Sequence, residues 1–342
     1  MKIAIHHRPG SFSDRWIGYC EKQGIDYKIV NAYSDDIVKQ VFGCDAFMWH
    51  HHHAEVRDTL FARQLLYSLE TSGMKCFPDF RTTWHFDDKV GQKYLLEAIK
   101  APLVPSYVFY NEEDALLWAE KTTYPKVFKL RGGAGSSNVL LVRNIKVANR
   151  LIKKAFGKGF PQVSAANFWK ENKRKLQERK ISILFFLKSI ASYYLKSESY
   201  HKKHNPEKGY VYFQDFIPDN TFDIRVCVVG KRAFALKRYV RKGDFRASGS
   251  GDVTYDVTQI DIRCVKTAFE LNKELRTQCV AFDFVFDENN NPLIVEISYG
   301  FASAAYDKCE GWWDEELYWH AGCGFDFCGW MVESVVSEIE SL

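Results

Sequence analysis

The spacing of apolar positions changes several times along the first part of the chain. Between apolar runs, residues 11–23 and 55–72 show helical spacing, and Ser34 is placed to cap a short helix that ends at Phe42. The apolar runs themselves predict four strands, at residues 2–6, 26–31, 44–49 and 74–77. Strands and helices that alternate through short connections predict a parallel, doubly wound α/β sheet. No GxGxxG motif follows the first strand, so dinucleotide binding by this sheet is not predicted.

A different pattern begins near residue 87. Asp87 and Lys89 start a predicted helix that runs to about Lys100, and Asn111 caps another. The later predicted elements are a strand at 126–129, a helix at 144–156, hairpins at 222–240 and 280–298, and an amphipathic helix from about 330.

A glycine-rich turn follows the strand at 126–129. Gly132, Gly133, Gly135 and Ser136 leave backbone N–H groups open, and such a loop can form an anion-binding concavity. The loop has no GK[ST] and leads into a strand, so it is not a P-loop. An ordinary hairpin turn is an equally good interpretation of these residues.

The hairpin at 222–240 concentrates charge on one face. A two-residue turn at Gly230 and Lys231 places Asp223 opposite Arg238, with Arg225 two residues further along the same face. These three side chains are predicted to converge. The alternative is a surface ladder of ion pairs, which contributes little to stability.

The hairpin at 280–298 places two carboxylates face to face. A turn centred on residues 289–290 puts Asp283 opposite Glu296, with Ser298 on the same face. Two carboxylates on otherwise apolar strands would repel, so a cation is expected between them, and Mg²⁺ prefers oxygen ligands. The alternative is a charged ladder on a solvated sheet face.

Histidines gather at the carboxyl edge of the predicted parallel sheet, where such sheets bind ligands. His6 and Arg8 follow the first strand, and His50 and His51 begin a run of histidines after the third. Three interpretations stay open. The histidines form a satisfied polar loop, they recognise an anionic substrate together with Arg8, or they bind a metal, for which no ordered ligand spacing is present.

Composition narrows the class of protein. The 342 residues carry a formal net charge of +4, too small for a dedicated nucleic-acid binder, so no nucleic-acid partner is expected. The nine cysteines form no CxxC pairs, which favours a reducing cytoplasm over a disulfide scaffold. No signal peptide is expected, and the apolar stretch at 181–195 is shorter than the ~20 residues that span a bilayer.

Two segments remain without an assigned role. Residues 170–196 join a basic run to an apolar one, which predicts either a helix that covers a core or a peripheral contact with anionic lipid at the inner membrane face. Residues 299–331 are dense in aromatic and small residues and are predicted to be loop-like. Their tryptophans, among them Trp312 and Trp330, either pack in the core or stack on a sugar acceptor.

The order of these motifs resembles the ATP-grasp superfamily of carboxylate–amine ligases, which includes glutathione synthetase and D-alanine–D-alanine ligase. The similarity covers about residues 75–300 and rests on VFKLRGGAGSSNV, QDFI, DIRV, KR and the final D-x12-E-x-S. It implies an α/β ATP-grasp fold preceded by a small doubly wound domain. The implied domains are 1–84, 85–125, the lid subdomain 126–210, and the metal- and substrate-binding subdomain 211–342.

The resemblance also implies a role for individual residues. Lys89 and Lys129 would contact the ATP phosphates, Gly132 to Ser136 would form the lid loop, and Asp223 would face the ribose. Gln214, Asp215, Phe216 and Ile217 would grip the adenine, with Asp215 in place of the family's more usual glutamate. Arg225, Arg238 and Arg246 would neutralise the transferred phosphoryl group or contact substrate. Asp283, Glu296 and Ser298 would hold Mg²⁺, with Ser298 where the family usually has asparagine.

By resemblance, the function is ATP-dependent formation of an amide through an acyl phosphate, with release of ADP and phosphate. The tail is similar to ATP-grasp proteins associated with bacterial surface polysaccharides, which implies a uronic acid or peptide carboxylate and a sugar or lipid-linked acceptor. A homodimer is a further expectation. The alternatives are an ATP-grasp phosphotransferase, and a nucleotide-binding regulatory or scaffold protein without turnover, which the departure at Ser298 motivates.

Overall fold

The chain forms two compact units in a computed structural model. The first unit contains residues 1–86, 94–103 and 217–342, and the second contains residues 87–93 and 104–216. The structure describes residues 1–53, 55–132, 139–161, 172–173, 176, 182–186, 188–189, 206–241, 244–247 and 251–341. The second unit is therefore inserted in the sequence of the first.

A four-stranded parallel sheet begins the first unit, with strand order β2-β1-β3-β4. Its elements are β1 (Lys2–His6), α1 (Phe12–Gln23), β2 (Asp26–Val30), α2 (Ile37–Gln40), β3 (Ala46–Trp49), α3 (Val56–Thr71), β4 (Lys75–Phe77) and α4 (Phe80–Thr83). The predicted alternation of strands and helices is confirmed. The predicted cap at Ser34 is wrong, because its hydroxyl donates to the carboxylate of Asp36 and the helix begins only at Ile37.

A large antiparallel sheet completes the first unit, with strand order β13-β12-β9-β10-β14-β15 and β11 paired to β10. Its elements are β9 (Phe222–Val229), β10 (Arg232–Tyr239), β11 (Val253–Thr254), α8 (Ile262–Leu275), β12 (Cys279–Phe286), β13 (Pro292–Ser298), β14 (Gly311–Asp314), β15 (Trp319–Ala321) and α9 (Phe327–Glu340). Both predicted hairpins are present. Gly230 adopts φ 57° in the first turn, a conformation that glycine reaches without strain.

The aromatic tail is more regular than its sequence predicted. Residues 299–331 contain the β14–β15 hairpin, which extends the large sheet beyond β10. Trp313 is buried in a core cluster, whereas Trp312 stacks on His320 with ring centroids 4.0 Å apart. The prediction of a loop-like tail is therefore wrong at these two strands.

The second unit is built on an antiparallel sheet with strand order β5-β8-β6-β7. Its elements are β5 (Ser106–Phe109), α6 (Glu112–Lys121), β6 (Lys126–Lys129), β7 (Leu140–Val142), α7 (Ile145–Phe156) and β8 (Val211–Asp215), and the unit boundary falls inside α5 (Lys89–Ala98). Asn111 caps α6 by accepting from the backbone of Glu113, as predicted. Alanines of α6 and α7 pack with Phe128 and Phe213 in one core.

Alternating side chains give the first unit a core on each sheet face. Ile3 and Ile5 of β1 pack toward α1 and α9, whereas Ala4 packs with leucines of α3. Cys227 and Cys279 of the large sheet join the same cluster as α9, so this helix contacts both sheets. Among the described residues, no helix has the length and apolar character needed to cross a membrane.

Candidate active site

Asp223 and Arg238 form a buried ion pair across β9 and β10. The register pairs them directly, as the sequence predicted. Arg238 Nε donates to Asp223 Oδ1 (2.6 Å) and Nη2 donates to Asp223 Oδ2 (2.8 Å), and both residues are at least nine-tenths buried. This bidentate geometry fixes the guanidinium plane. In this arrangement Asp223 orients Arg238.

Asp283 lies at the centre of a charged cluster that also contains Asp223, Arg225, Arg238 and Glu296. Its strand, β12, lies between β9 and β13. Asp283 pairs in register with Arg225 on one side and Glu296 on the other. Arg225 donates to both of its oxygens (2.5 and 2.6 Å), and Arg238 Nη2 lies 3.1 Å from Asp283 Oδ1. Two guanidinium groups therefore supply the positive charge that the facing carboxylates were predicted to need.

The charges of this cluster depend on one another. Burial opposes ionisation of Asp283, but Arg225 and Arg238 outweigh it and hold the pKa of this carboxyl well below its usual range. Burial raises the pKa of Asp223, and the attraction of Arg238 offsets only part of that effect. The ionised state of each carboxylate in the cluster therefore depends on the guanidinium groups beside it.

A β-bulge sets the position of Glu296. The pairing shifts between Asp283 and Phe284, so Phe284 faces Ile294 while Asp283 faces Glu296. The hairpin loop itself is held by Asp287, which accepts from the backbone of Asn289 and Asn291. The predicted register at Asp283 is thus correct, although the bulge that produces it was not predicted.

The oxygen donors at this point suit one Mg²⁺ ion. Asp283 and Glu296 lie directly opposite each other, and the hydroxyl of Ser298 donates to Gly300 O (2.7 Å) while its lone pairs remain able to accept. The guanidinium contacts use about three of the four lone-pair directions of Asp283. In the described part of the chain, no cluster of three His, Cys, Asp or Glu is arranged around a metal position. Proteins usually hold Mg²⁺ through one or two carboxylates plus substrate phosphates, and Asp283 and Glu296 supply two carboxylates.

A buried lysine network occupies the sheet of the second unit. Lys129 Nζ donates to Gln214 Oε1 (2.6 Å), and Gln214 Nε2 donates to Ser106 Oγ (3.1 Å). Tyr212 OH also donates to Ser106 Oγ (2.9 Å). Lys129 and Gln214, both predicted site residues, are therefore brought together. Ser106 and Tyr212 were not predicted.

Two ion pairs flank this network. Lys126 Nζ lies 2.5 Å from Asp215 Oδ1, directly across β6 and β8. Arg131 Nη2 lies 2.6 Å from Asp88 Oδ2, and Arg131 O accepts from the backbone N–H of the buried Lys89 (2.9 Å). Lys126 and Arg131 were not predicted as site residues. The direct pairing of Lys126 with Asp215 becomes a signal only once β6 is aligned antiparallel to β8.

The start of the glycine-rich loop is closely surrounded. A Cβ at Gly132 would lie 3.1 Å from Asp87 Oδ2 and 3.5 Å from Glu207 Oε1, so this position favours glycine. Gly133, Gly135 and Ser136, predicted to form the lid, lie outside the described residues. So do all of residues 170–196 except 172–173, 176, 182–186 and 188–189.

Three further predicted site residues, Phe216, Ile217 and Arg246, are not part of the lysine network or the charged cluster. Phe216 and Ile217 follow β8 and are half-buried, and Ile217 O accepts from Asn220 Nδ2 (3.5 Å). Arg246 is half-buried and pairs with Asp244, at 2.5 Å from Nη2 to Oδ2.

The four residues predicted at the carboxyl edge of the parallel sheet, His6, Arg8, His50 and His51, have different environments. His6 accepts from the backbone of Ala32 (3.0 Å), and burial lowers its pKa. His51 hydrogen-bonds Thr83, and burial lowers its pKa to about 3. His50 accepts at Nδ1 from the backbone N–H of Phe12 (3.0 Å) and stacks on the Phe12 ring. These three imidazoles are therefore neutral at pH 7, and Arg8 carries the positive charge of the set.

The chain is similar to known proteins in sequence and in fold. The model of the RimK-like ATP-grasp domain matches residues 198–310. A search of curated proteins gives no match.

Solved structures of low sequence identity share the fold. An ATP-grasp RimK domain protein from Sphaerobacter thermophilus has 14% identity and a TM-score of 0.58, over 98% of this chain and 100% of that one. D-alanine–D-alanine ligase from Bacillus anthracis, complexed with ATP, has 11% identity and a TM-score of 0.59, over 100% and 98%. The biotin carboxylase domain of Hydrogenobacter thermophilus 2-oxoglutarate carboxylase, complexed with MgADP, has 13% identity and a TM-score of 0.61, over 98% and 69%.

The chain has the ATP-grasp fold, with a parallel four-stranded sheet at its N-terminal end followed by antiparallel sheets. More narrowly, the segment that matches the RimK-like ATP-grasp domain includes β9, β10, β12 and β13 and therefore the charged cluster. The predicted fold class and the predicted superfamily are both confirmed.

Proposed function

We propose that the protein is an ATP-dependent carboxylate–amine ligase that forms an amide through an acyl phosphate. The observation that carries the proposal is the convergence of Arg225, Arg238, Asp283 and Glu296 on one face of the large sheet. Two carboxylates for a metal beside two fixed guanidiniums suit the transfer of a phosphoryl group, because that chemistry needs positioning and charge neutralisation.

The second unit supports ATP as the phosphoryl donor. Lys129 is held by Gln214 within hydrogen-bond distance, so its ammonium is buried and oriented. Lys89 is buried at the first turn of α5, beside the ion pair of Asp88 with Arg131. We assign the two lysines to phosphate binding, and the backbone of residues 214–217 to adenine binding. Gly132 would begin the phosphate-covering loop with Gly133, Gly135 and Ser136.

The reaction proceeds in two steps. An oxygen of the acid substrate attacks the γ-phosphorus of ATP, the bond to ADP breaks, and an acyl phosphate forms. The amine nitrogen then attacks the acyl carbon, phosphate leaves, and the amine loses a proton. The protein positions the reactants and supplies charge, with no covalent enzyme intermediate.

The residues of the charged cluster have distinct roles in these steps. Arg225 and Arg238 would stabilise charge on the transferred phosphoryl group, and Asp223 keeps Arg238 oriented for that task. Asp283, Glu296 and Ser298 would hold Mg²⁺, which when bound neutralises phosphate charge. Arg246, held by Asp244, is a further candidate for contacting substrate.

A screen for ADP release tests the proposal. Candidate acids, including uronates and peptides with a free carboxylate, are crossed with amino acids and amino sugars, and products are identified by mass spectrometry. ADP release that requires both an acid and an amine supports the ligase. A stable phosphorylated product indicates a phosphotransferase, and ATP binding without turnover indicates a regulatory or scaffold protein.

Replacement of Glu296 by glutamine tests the metal assignment. Glu296→Gln removes one metal carboxylate and keeps the side-chain size, so we expect loss of ATP turnover with unchanged circular dichroism and thermal unfolding. Glu288→Gln, an exposed carboxylate in the loop of the same hairpin, is the matched control and should retain full activity. Full activity of Glu296→Gln at saturating Mg²⁺ would contradict the assignment.

Peripheral membrane contact is a separate prediction for residues 170–196. Ile183, Leu184 and Phe185 are 66%, 73% and 56% exposed, and the preceding sequence is basic. Co-sedimentation with anionic and neutral vesicles tests it, and equal binding to both would count against it.

A further inference from the structure

Two buried hydrogen-bond donors lie at the carboxyl edge of the parallel sheet without an acceptor. His50 Nε2 and Arg8 Nε are both shielded from solvent and have no hydrogen-bond partner among the described residues. By contrast, His6 and His51 at the same edge each have a partner. A buried polar group without a partner costs roughly as much as a lost hydrogen bond, so such groups usually serve a ligand or a bound water.

The backbone of Phe12 fixes which nitrogen of His50 carries the hydrogen. Phe12 N–H donates to Nδ1, so Nδ1 must carry the lone pair. Burial, followed by the charge of Arg8, lowers the pKa of His50 well below its ordinary value, so the ring is neutral. A neutral imidazole with a free Nδ1 lone pair has its hydrogen on Nε2. His50 therefore presents a donor, and a matching ligand must present an acceptor.

Arg8 makes this edge electropositive. Arg8 N–H donates to Ser13 Oγ (3.0 Å) at the start of α1, whose Phe12 stacks on the His50 ring, and the charge of Arg8 contributes to lowering the pKa of both His50 and His52. The neighbouring carboxylate, Asp58, accepts from Tyr33 OH (2.7 Å) and from the backbone of His52 (2.6 Å), and it makes no ion pair with Arg8 within 4.0 Å. The guanidinium is half-buried and has no ion-pair partner among the described residues. A negatively charged acceptor matches this combination.

Gly300 lies next to the unpaired donor of His50. A Cβ at this glycine would be 3.5 Å from His50 Nε2 and 3.4 Å from the ring of Phe86. Gly300 directly continues the segment of Glu296 and Ser298, and Ser298 Oγ donates to its carbonyl. The His50 donor thus lies beside the chain segment that carries Glu296 and Ser298, two of the proposed metal ligands.

We propose that His50 Nε2–H and the Arg8 guanidinium form an oxyanion site that binds a carboxylate or phosphate group of the acid or amine substrate. The inference deepens the proposed ligase function and rests on it for the identity of the ligand as a substrate. The site selects substrates that carry a second anionic group, because the reacting carboxylate is consumed at the phosphoryl-transfer position.

Histidine-selective ¹⁵N NMR of the full chain tests the site directly. The ¹⁵N shifts of His50 report which ring nitrogen carries the hydrogen, and titrations use acetate, inorganic phosphate and chloride at equal ionic strength. We expect the Nε2–H form, and a saturable shift of the His50 resonance with acetate or phosphate but not with chloride. A response to acetate alone identifies a carboxylate site, and a response to phosphate alone identifies a phosphate site.

Matched substitutions separate the donor from the fold. His50→Asn keeps an acceptor for Phe12 N–H but has no donor at the Nε2 position, so anion binding should weaken about tenfold or more. His50→Gln places an amide N–H near the Nε2 position and should retain most binding. Arg8→Gln should weaken binding similarly, whereas His7→Gln, an exposed neighbour, should leave it unchanged.

The outcomes distinguish this inference from the proposed function. A Nδ1–H form of His50, or no anion-specific shift in the wild-type protein, overturns the oxyanion site even when ligase turnover is present, and a long-lived water at Nε2–H then explains the donor. Anion binding that His50→Asn abolishes, in a protein without turnover, retains the site and refutes the ligase. Where turnover is present, His50→Asn should raise KM for the anionic substrate and leave KM for ATP unchanged.

Discussion

Replacing Arg238 by methionine is expected to destabilise the first unit far more than an average surface substitution. Arg238 donates two hydrogen bonds to Asp223 and lies 3.1 Å from an oxygen of Asp283. Removing one partner of a buried ion pair leaves the other charge buried and unpaired, which costs about 3–5 kcal/mol. In this variant the unpaired charge is that of Asp223, because Asp283 keeps its ion pair with Arg225.

A second substitution isolates the charge effect. Asp223→Asn in the Arg238→Met background removes the unpaired charge, so it should restore on the order of 1–2 kcal/mol of the lost free energy of unfolding. The pH dependence has a defined sign. Burial raises the pKa of Asp223 in the folded protein, and loss of Arg238 raises it further. The protonated form of Asp223 therefore contributes to the free energy of unfolding below about pH 3.9, the pKa in the unfolded chain. This contribution is lost as the pH rises through the folded pKa.

Urea unfolding of the four proteins, wild type, both single variants and the double variant, measures these free energies. The destabilisation by Arg238→Met should be smaller at pH 4 than at pH 7. If Arg238→Met lowers the free energy of unfolding by less than about 1 kcal/mol at pH 7, the buried ion-pair geometry is refuted, because an exposed ion pair contributes about that much. Equal losses at both pH values would refute the role given to the Asp223 charge.

Two further substitutions test the packing and electrostatics of the first unit. Burial raises the pKa of Glu70 to about 7, so its contribution to stability is present below about pH 4.3 and is lost as the pH rises through 7. Glu70→Gln should therefore gain about 1–2 kcal/mol relative to wild type between pH 4.5 and pH 8, and exposed Glu274→Gln should gain nothing. Gly329→Ala would place a Cβ 2.4 Å from the Tyr19 ring and should cost about 1–3 kcal/mol in urea unfolding, whereas Gly18→Ala meets no atom within 4 Å and should stabilise.

Local patterns were sufficient to predict much of the fold. The alternation of strands and helices before residue 80 gave the parallel sheet, because strand and helix periods differ clearly there. The register of Asp223 with Arg238 followed from a two-residue turn, and that of Asp283 with Glu296 from the assumed centre of its hairpin. In both hairpins the partners are close in sequence, so few residues determine the pairing.

Long-range pairing was not predictable in the same way. Arg225 contacts Asp283 because β9 lies beside β12, and strands more than fifty residues apart give no local signal of being neighbours. A metal was therefore predicted to balance the charge of Asp283, whereas the guanidiniums of Arg225 and Arg238 already do so. The hairpin of Trp312 and Trp319 was missed since its short strands lack clear alternation. The donor at His50 depends on the distant backbone of Phe12.

The contact between α1 and α9 has a consequence for folding during synthesis. Tyr19 of α1 donates to Glu333 of α9, and Phe12 and Trp16 share a core with Met331 and Val335. At roughly 5–20 residues per second, the ribosome needs on the order of ten seconds to make residues 217–342 after the second unit has emerged. The inserted unit can complete its own core in that interval. The apolar faces of β1 and α1 stay uncovered until α9 has been synthesised. A nascent chain of this architecture is therefore expected to need a chaperone most during this interval.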